Sequence, residues 1–203
     1  MRDNLIYIKN FTAPKIDRGE VLRYARAGKS SAETEALLDE CILRASEPLT
    51  YTACYRFYDI SINGDEIDLG FTRVKSRSLS YALKGCDRIA LFCATVGHGI
   101  DRLIAKYSAI SPAMAVVLQA LGSERVEALC DMLCAEIEGA VNADGCRCTA
   151  RFSPGYGDLP LDMQRDVFVS LDCTKSIGVT LNDQMFMTPS KSVTAIVGIK
   201  NVK

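Results

Sequence analysis

Within six residues, Arg151-Phe152-Ser153-Pro154-Gly155-Tyr156 places a fixed positive charge, a Pro-Gly turn and an aromatic ring. Pro154 holds its own φ and restricts Ser153, while Gly155 suits the positive φ of a tight turn. Such a turn leaves backbone N–H and C=O groups outside any helix or sheet, where a ligand can meet them. Arg151 adds a planar fork matched to a carboxylate or phosphate. Tyr156 adds a flat face and a hydroxyl. Together these parts suit a small zwitterion with an aromatic end. The plainer alternative is a surface turn with a salt-bridged Arg.

Upstream, Glu127 and Asp131 stand four residues apart in a segment of helical pattern. They share one stripe, and two like charges side by side oppose the helix unless a cation or solvent relieves them. A solvated acidic face explains them equally well. Other chemistry has less to work with. His98 is the single histidine, so a serine-type triad or an imidazole metal site has no second member to draw on. Gly97-His98-Gly99 lacks the third glycine of a dinucleotide fingerprint and reads as a connecting turn before a helix. Nine cysteines are present, an odd number that reads as free thiols in a reducing compartment. Cys130, Cys134, Cys146 and Cys148 allow a tetrathiolate site as a further reading, without the usual Cys-x-x-Cys pair.

These residues need elements to position them. Residues 4–8 read as a first strand and 17–27 as a helix stopped by Gly28. Ser30-x-x-Glu33 reads as a capping box opening a second helix, which Pro48 ends. Residues 51–62 and 66–74 read as two strands joined around Asn63-Gly64, a strong hairpin signal. A short helix is expected over 78–83. Arg88 to Thr95 forms an apolar run of strand length, buried on both faces. A helix over 100–109 follows. Ser111-Pro112 then opens the longest helix, with Ser as N-cap and Pro at the first position. Val126, Leu129, Cys130, Leu133, Cys134, Ile137 and Val141 form its apolar stripe. That leaves Glu124, Glu127, Asp131, Glu136 and Glu138 to its other faces. A last helix covers 161–171, followed by strands at 177–181 and 193–199 around a loop at Pro189 and Ser190. The pattern is an α+β fold, a twisted and mostly antiparallel sheet packed by helices. We expect one domain over 1–203, with an N-terminal part over 1–110 and a ligand-binding part over 111–203.

Composition narrows the function classes. The chain has 203 residues, is 48% hydrophobic and 24% charged, and carries a net charge of −1, as expected of an ordinary globular domain. The 24 Lys and Arg are scattered, which argues against nucleic acid. No apolar run reaches the ~18 residues of a membrane span. Met1-Arg2-Asp3-Asn4 is not the start of a secretory signal, so a cytoplasmic location is expected.

Arg151-x-x-x-Gly155-Tyr156, followed by Pro160 and an amphipathic helix, resembles the S-adenosylmethionine-binding signature of the activation domain of cobalamin-dependent methionine synthase. The runs Ile177-Gly178-Val179-Thr180-Leu181 and Met187-Thr188-Pro189-Ser190-Lys191-Ser192-Val193 resemble the next segments of that family in order and spacing. The helix around Glu127-Ala128-Leu129 is also similar. The first half is closer to the small free-standing members, through Leu91-Phe92-Cys93-Ala94-Thr95-Val96-Gly97 and Leu118-Gln119-Ala120-Leu121-Gly122-Ser123.

The resemblance implies S-adenosylmethionine binding by Arg151, Ser153, Gly155, Tyr156 and Glu127, with Asp144 as the nearest counterpart of a second acid. In that reading Arg151 pairs with the ligand carboxylate and Glu127 receives its ammonium or lies near the sulfonium. The implied function is reductive reactivation of a cobalamin-dependent methionine synthase. The methyl group would pass to cobalamin held on a partner protein, and a flavodoxin-like donor would supply the electron. No Asp-x-His-x-x-Gly cobalamin pattern occurs in this chain. No general acid or base is needed, in keeping with the lack of a His/Asp constellation. A non-catalytic docking or regulatory module for a corrinoid methyltransferase is the alternative.

Overall fold

The structure is a computed structural model that describes residues 5–27 and 31–202. In chain order the elements are β1 (Tyr7–Asn10), α1 (Arg18–Tyr24), α2 (Ala32–Ala45), β2 (Thr52–Asp59), β3 (Ser61–Asn63), β4 (Glu66–Asp68), β5 (Arg73–Lys75), α3 (Arg77–Ala82), β6 (Arg88–Thr95), α4 (Gly99–Ile110), α5 (Pro112–Asn142) and β7 (Cys146–Cys148). A 3-10 turn at Leu161–Met163 leads into α6 (Gln164–Leu171), α7 (Cys173–Ile177), β8 (Thr180–Leu181), β9 (Met187–Thr188) and β10 (Ser192–Asn201).

The main sheet has the order β1-β2-β6-β10-β7, antiparallel throughout. β6 lies at its centre, with Phe92 opposite Tyr55 of β2 on one side and Ala195 of β10 on the other. Its unbroken apolar sequence follows from this position. Ala90, Phe92 and Ala94 pack on one face with α2 and α5, while Ile89, Leu91 and Cys93 pack on the other with α3, α6 and α7. A strand covered on both sides has no polar face to show. The expected α+β architecture is present.

The local signals that hold are those of chain chemistry. Ser111 caps α5, its side chain accepting from the Met114 N–H, with Pro112 just inside. The Ser30 cap and the Gly28 stop fall outside the described residues. The cap that is described is Ser31, which accepts from the Thr34 N–H. The Asn63-Gly64 turn does join two strands, β3 and β4, pairing Asn63 with Glu66. The residues before it do not form one long strand, however. Residues 52–59 belong to the main sheet, and β3, β4 and β5 make a separate three-stranded sheet. β7 had no sequence expectation and is a three-residue sheet edge.

Glu124 corrects the reading of α5. It is 4% exposed and Arg125 is 1% exposed, because this 31-residue helix is covered on more than one face. The Arg125 fork grips both Glu124 carboxylate oxygens at 2.5 Å. It also donates to the carbonyls of Pro14 and Lys15, and Glu124 accepts from the Asp17 N–H. The pair ties the segment before α1 onto α5. Removing either charge would leave the other buried and uncompensated.

Candidate functional site

Arg151 is placed by the sheet. Beyond β7 the chain continues along β10: the Thr149 N–H donates to the Gly198 carbonyl, and Phe152 exchanges both backbone bonds with Ile196 at 2.8 Å. Successive side chains of an extended chain point to opposite faces. Phe152 therefore packs into the layer beneath the sheet, while Arg151 reaches α5. Its Nη2 donates to Glu127 Oε2 and its Nη1 to Asp131 Oδ1, each at 2.5 Å. One guanidinium thus bridges the two like charges of the i, i+4 stripe and relieves their repulsion. Arg151 is about a quarter exposed, Glu127 two-fifths, and Asp131 mostly exposed. Partial burial works against the guanidinium charge, but the bonds to Asp131 and Glu127 outweigh it, so the pKa of Arg151 is raised. Burial also pushes up the neighbouring Cys134 thiol, against the pull of Arg151.

The turn beside this cluster forms as its residues require. The Tyr156 N–H donates to the Ser153 carbonyl at 3.1 Å, closing a turn with Pro154 and Gly155 at its centre. Gly155 has φ +90°, where a side chain would be strained. A second turn follows, with the Leu159 N–H donating to Tyr156 O and Gly157 at φ +56°. Tyr156 is 63% exposed, its ring edge-on to Phe152 with centroids 6.1 Å apart. A flat aromatic surface therefore faces outward, five residues along the chain from Arg151.

Asp158 anchors the loop and had no sequence expectation. Its carboxylate accepts from the Ser76 hydroxyl at 2.6 Å and from the N–H groups of Arg77 and Ser78. It caps α3 from outside, and these bonds hold its pKa far below the ordinary carboxylate range. Its partners lie about eighty residues earlier in the chain, so no local spacing could reveal it. Gly157 belongs to the same contact, because a Cβ there would lie 2.5 Å from Ser78 Oγ.

Of the expected site residues, the structure brings Arg151 onto Glu127, while Ser153, Gly155 and Tyr156 form the turn that directly follows Arg151 in the chain. Asp131 joins Arg151 and Glu127. Asp144 lies past the C-terminal end of α5, about three and a half helical turns' worth of chain from Asp131, with its N–H bonded to the Val141 carbonyl. It is exposed and is not brought to the cluster. Gly97-His98-Gly99 is a connecting turn in which Gly99 allows close approach, since a Cβ would overlap the Pro48 carbonyl. The nine cysteines are free thiols. Among the described residues no three His, Cys, Asp or Glu side chains are gathered as a metal would need. Cys146 instead accepts from Arg88 and lies near the Asp144 carbonyl, and Cys130 is buried in the core. Among the described residues, no helix is long and apolar enough to cross a membrane.

Comparison with known proteins bears on the fold and the family. No curated protein matches the sequence. Among solved structures, the crystal structure of the MetH reactivation domain bound to AdoHcy superposes with a TM-score of 0.73 at 15% identity, covering 95% of this chain and 78% of that one. At that identity the likeness speaks for the fold. The family model for the vitamin B12 dependent methionine synthase activation domain matches residues 76–201, a span that contains α5, the Arg151 turn and β10. The chain belongs to the vitamin B12 dependent methionine synthase activation domain family.

Proposed function

We propose that this chain binds S-adenosylmethionine along α5 and the Arg151–Tyr156 turn, and presents its methyl group to cobalamin held on a partner protein. The observation that carries this reading is the Arg151 bridge across Glu127 and Asp131, with an outward-facing tyrosine in the turn that follows Arg151. One cation and two carboxylates give the cluster a formal charge of −1. S-adenosylmethionine, with a sulfonium, an ammonium and a carboxylate, carries +1. Cluster and ligand are complementary in sign, which favours encounter and orientation. With both Nη groups paired, Arg151 acts mainly by holding Glu127 and Asp131 beside the turn. A carboxylate has about four acceptor sites, so Glu127 can receive an ammonium while it stays paired to Arg151. Ser153, Gly155 and Tyr156 form the wall for ribose and adenine.

The corrinoid on the partner supplies the nucleophile and the electron chemistry, and a flavodoxin-like protein suits the role of electron donor. What this chain contributes is position. The methyl carbon must lie in line between the incoming cobalt and the departing sulfur, an arrangement that fixed contacts can supply. No side chain of the cluster has to move a proton. Asp144, at the far end of α5, is better placed to meet a partner than the ligand.

Isothermal titration with S-adenosylmethionine tests the reading. The wild type should bind. Arg151→Ala should weaken binding at least tenfold, because Glu127 and Asp131 lose the group that fixes their positions and repel each other unrelieved. If the wild type binds nothing with or without the cobalamin partner, the proposal fails. If Arg151→Ala binds as the wild type does, the assignment of the site fails. Retention of a corrinoid protein by a chain that does not bind the ligand would favour a docking module instead.

A further inference from the structure

Lys191 stands just before β10, and the chain pins it on both sides. The Ser190 N–H and hydroxyl donate to Asp101 on α4. The carbonyl of Lys191 accepts from the Val96 N–H at 3.1 Å and from the Thr95 hydroxyl at 3.4 Å. The side chain lies along α5 at Gly122, where a Cβ would come within 3.0 Å of Lys191 Cγ and 3.2 Å of its Cε. Gly122 thus makes room for the lysine stem. The ammonium ends on the Ser123 hydroxyl at 2.9 Å, its only hydrogen-bonded partner among the described residues.

A half-buried ammonium held by one neutral hydroxyl is under-compensated. Burial lowers its pKa, and the charge of Asp101 only partly opposes this. The ammonium has three donors, so two remain for an incoming acceptor. Its position is the informative part. Ser123, Glu127 and Asp131 follow one another at four-residue intervals on α5, a single stripe rising about 6 Å per step. Lys191 covers the first step, and Arg151 covers the second and third. Lys191 therefore brings a cation to the same stripe of α5, at Ser123, one helical turn from Glu127. In an α-amino acid the nitrogen and the carboxylate oxygens are about 3 Å apart, a spacing that fits between the two.

We propose that Lys191 is the specificity-determining residue of this α5 stripe for the amino-acid tail, donating to the α-carboxylate while Glu127 accepts from the α-ammonium. The assignment rests on the S-adenosyl reading above and adds to it the residue that selects an intact amino-acid tail. It also completes the charge balance. The Arg151 cluster, at −1, attracts the ammonium but repels a carboxylate, and Lys191 offsets that repulsion at the end where the carboxylate lies.

The test is a cycle of two ligands and three proteins, read by isothermal titration. S-adenosylhomocysteine has the amino-acid tail, and 5′-methylthioadenosine lacks it. Lys191→Met should weaken S-adenosylhomocysteine binding about tenfold or more, and leave methylthioadenosine within about twofold of wild type. Lys191→Arg should recover most of the loss, which separates charge from packing. Equal losses for both ligands, or unchanged S-adenosylhomocysteine binding in Lys191→Met, would overturn the assignment and leave the S-adenosyl reading standing. A wild type that binds neither ligand would overturn both.

Discussion

Replacing Arg125 with Met keeps the length and apolar volume of the side chain and removes its charge. Four hydrogen bonds go with it: two to Glu124 and one each to the carbonyls of Pro14 and Lys15. Glu124, at 4% exposure, keeps only the Asp17 N–H. Removing one partner of a buried ion pair costs about 3–5 kcal/mol, because the remaining charge loses its compensation out of reach of water. In a chain of this size each kcal/mol lowers Tm by about 2–4 °C. The expected drop is therefore roughly 6–20 °C, read by circular dichroism and checked against the urea midpoint. The double variant Glu124→Leu with Arg125→Met removes both charges and should regain a substantial part of the loss. An Arg125→Met protein within about 1 kcal/mol of wild type would refute the reasoning, since that is the range of an exposed pair. A double variant no more stable than Arg125→Met would show that the carbonyl bonds, not the stranded carboxylate, set the cost.

Two further outcomes concern the loop that carries the site. Gly157→Ala must hold a side chain at φ +56° and 2.5 Å from Ser78 Oγ, and should cost about 1–3 kcal/mol; urea denaturation at the stability of wild type would contradict that geometry. Asp158 has a folded pKa well below its unfolded value, first through the Ser76 hydroxyl and then through the Arg77 and Ser78 N–H groups. Its contribution is therefore complete above the ordinary carboxylate pKa and is lost as pH falls through the depressed folded value. The stability gap between wild type and Asp158→Asn should be widest near neutrality and shrink in acid. A gap that grows on acidification would show that the carboxylate is not what those donors hold.

Much was readable locally because the physics is local. The Ser111-Pro112 start of α5 depends on a hydroxyl and a fixed φ within one turn of chain. The central strand Arg88–Thr95 announces itself by having no polar residue between its two ends. The Pro154-Gly155 turn, with Arg151 before it and Tyr156 after it, follows from torsional preference. Glu127 and Asp131 could be recognised as a like-charge pair that either a cation or solvent must relieve. The tertiary structure alone decided which cation, and it is Arg151, twenty and twenty-four residues away. It alone put Glu124 in the interior, because a carboxylate buried beside an arginine looks the same in sequence as one in water. It also set Asp158 on the first turn of α3, separated Asp144 from the acids it follows, and laid Lys191 over Gly122. Each of these depends on segments that meet only after the chain has closed long loops. Backbone preference acts over a few residues, whereas charge pairing and burial act through space, so the sequence determined the parts of the site and the fold decided their partners.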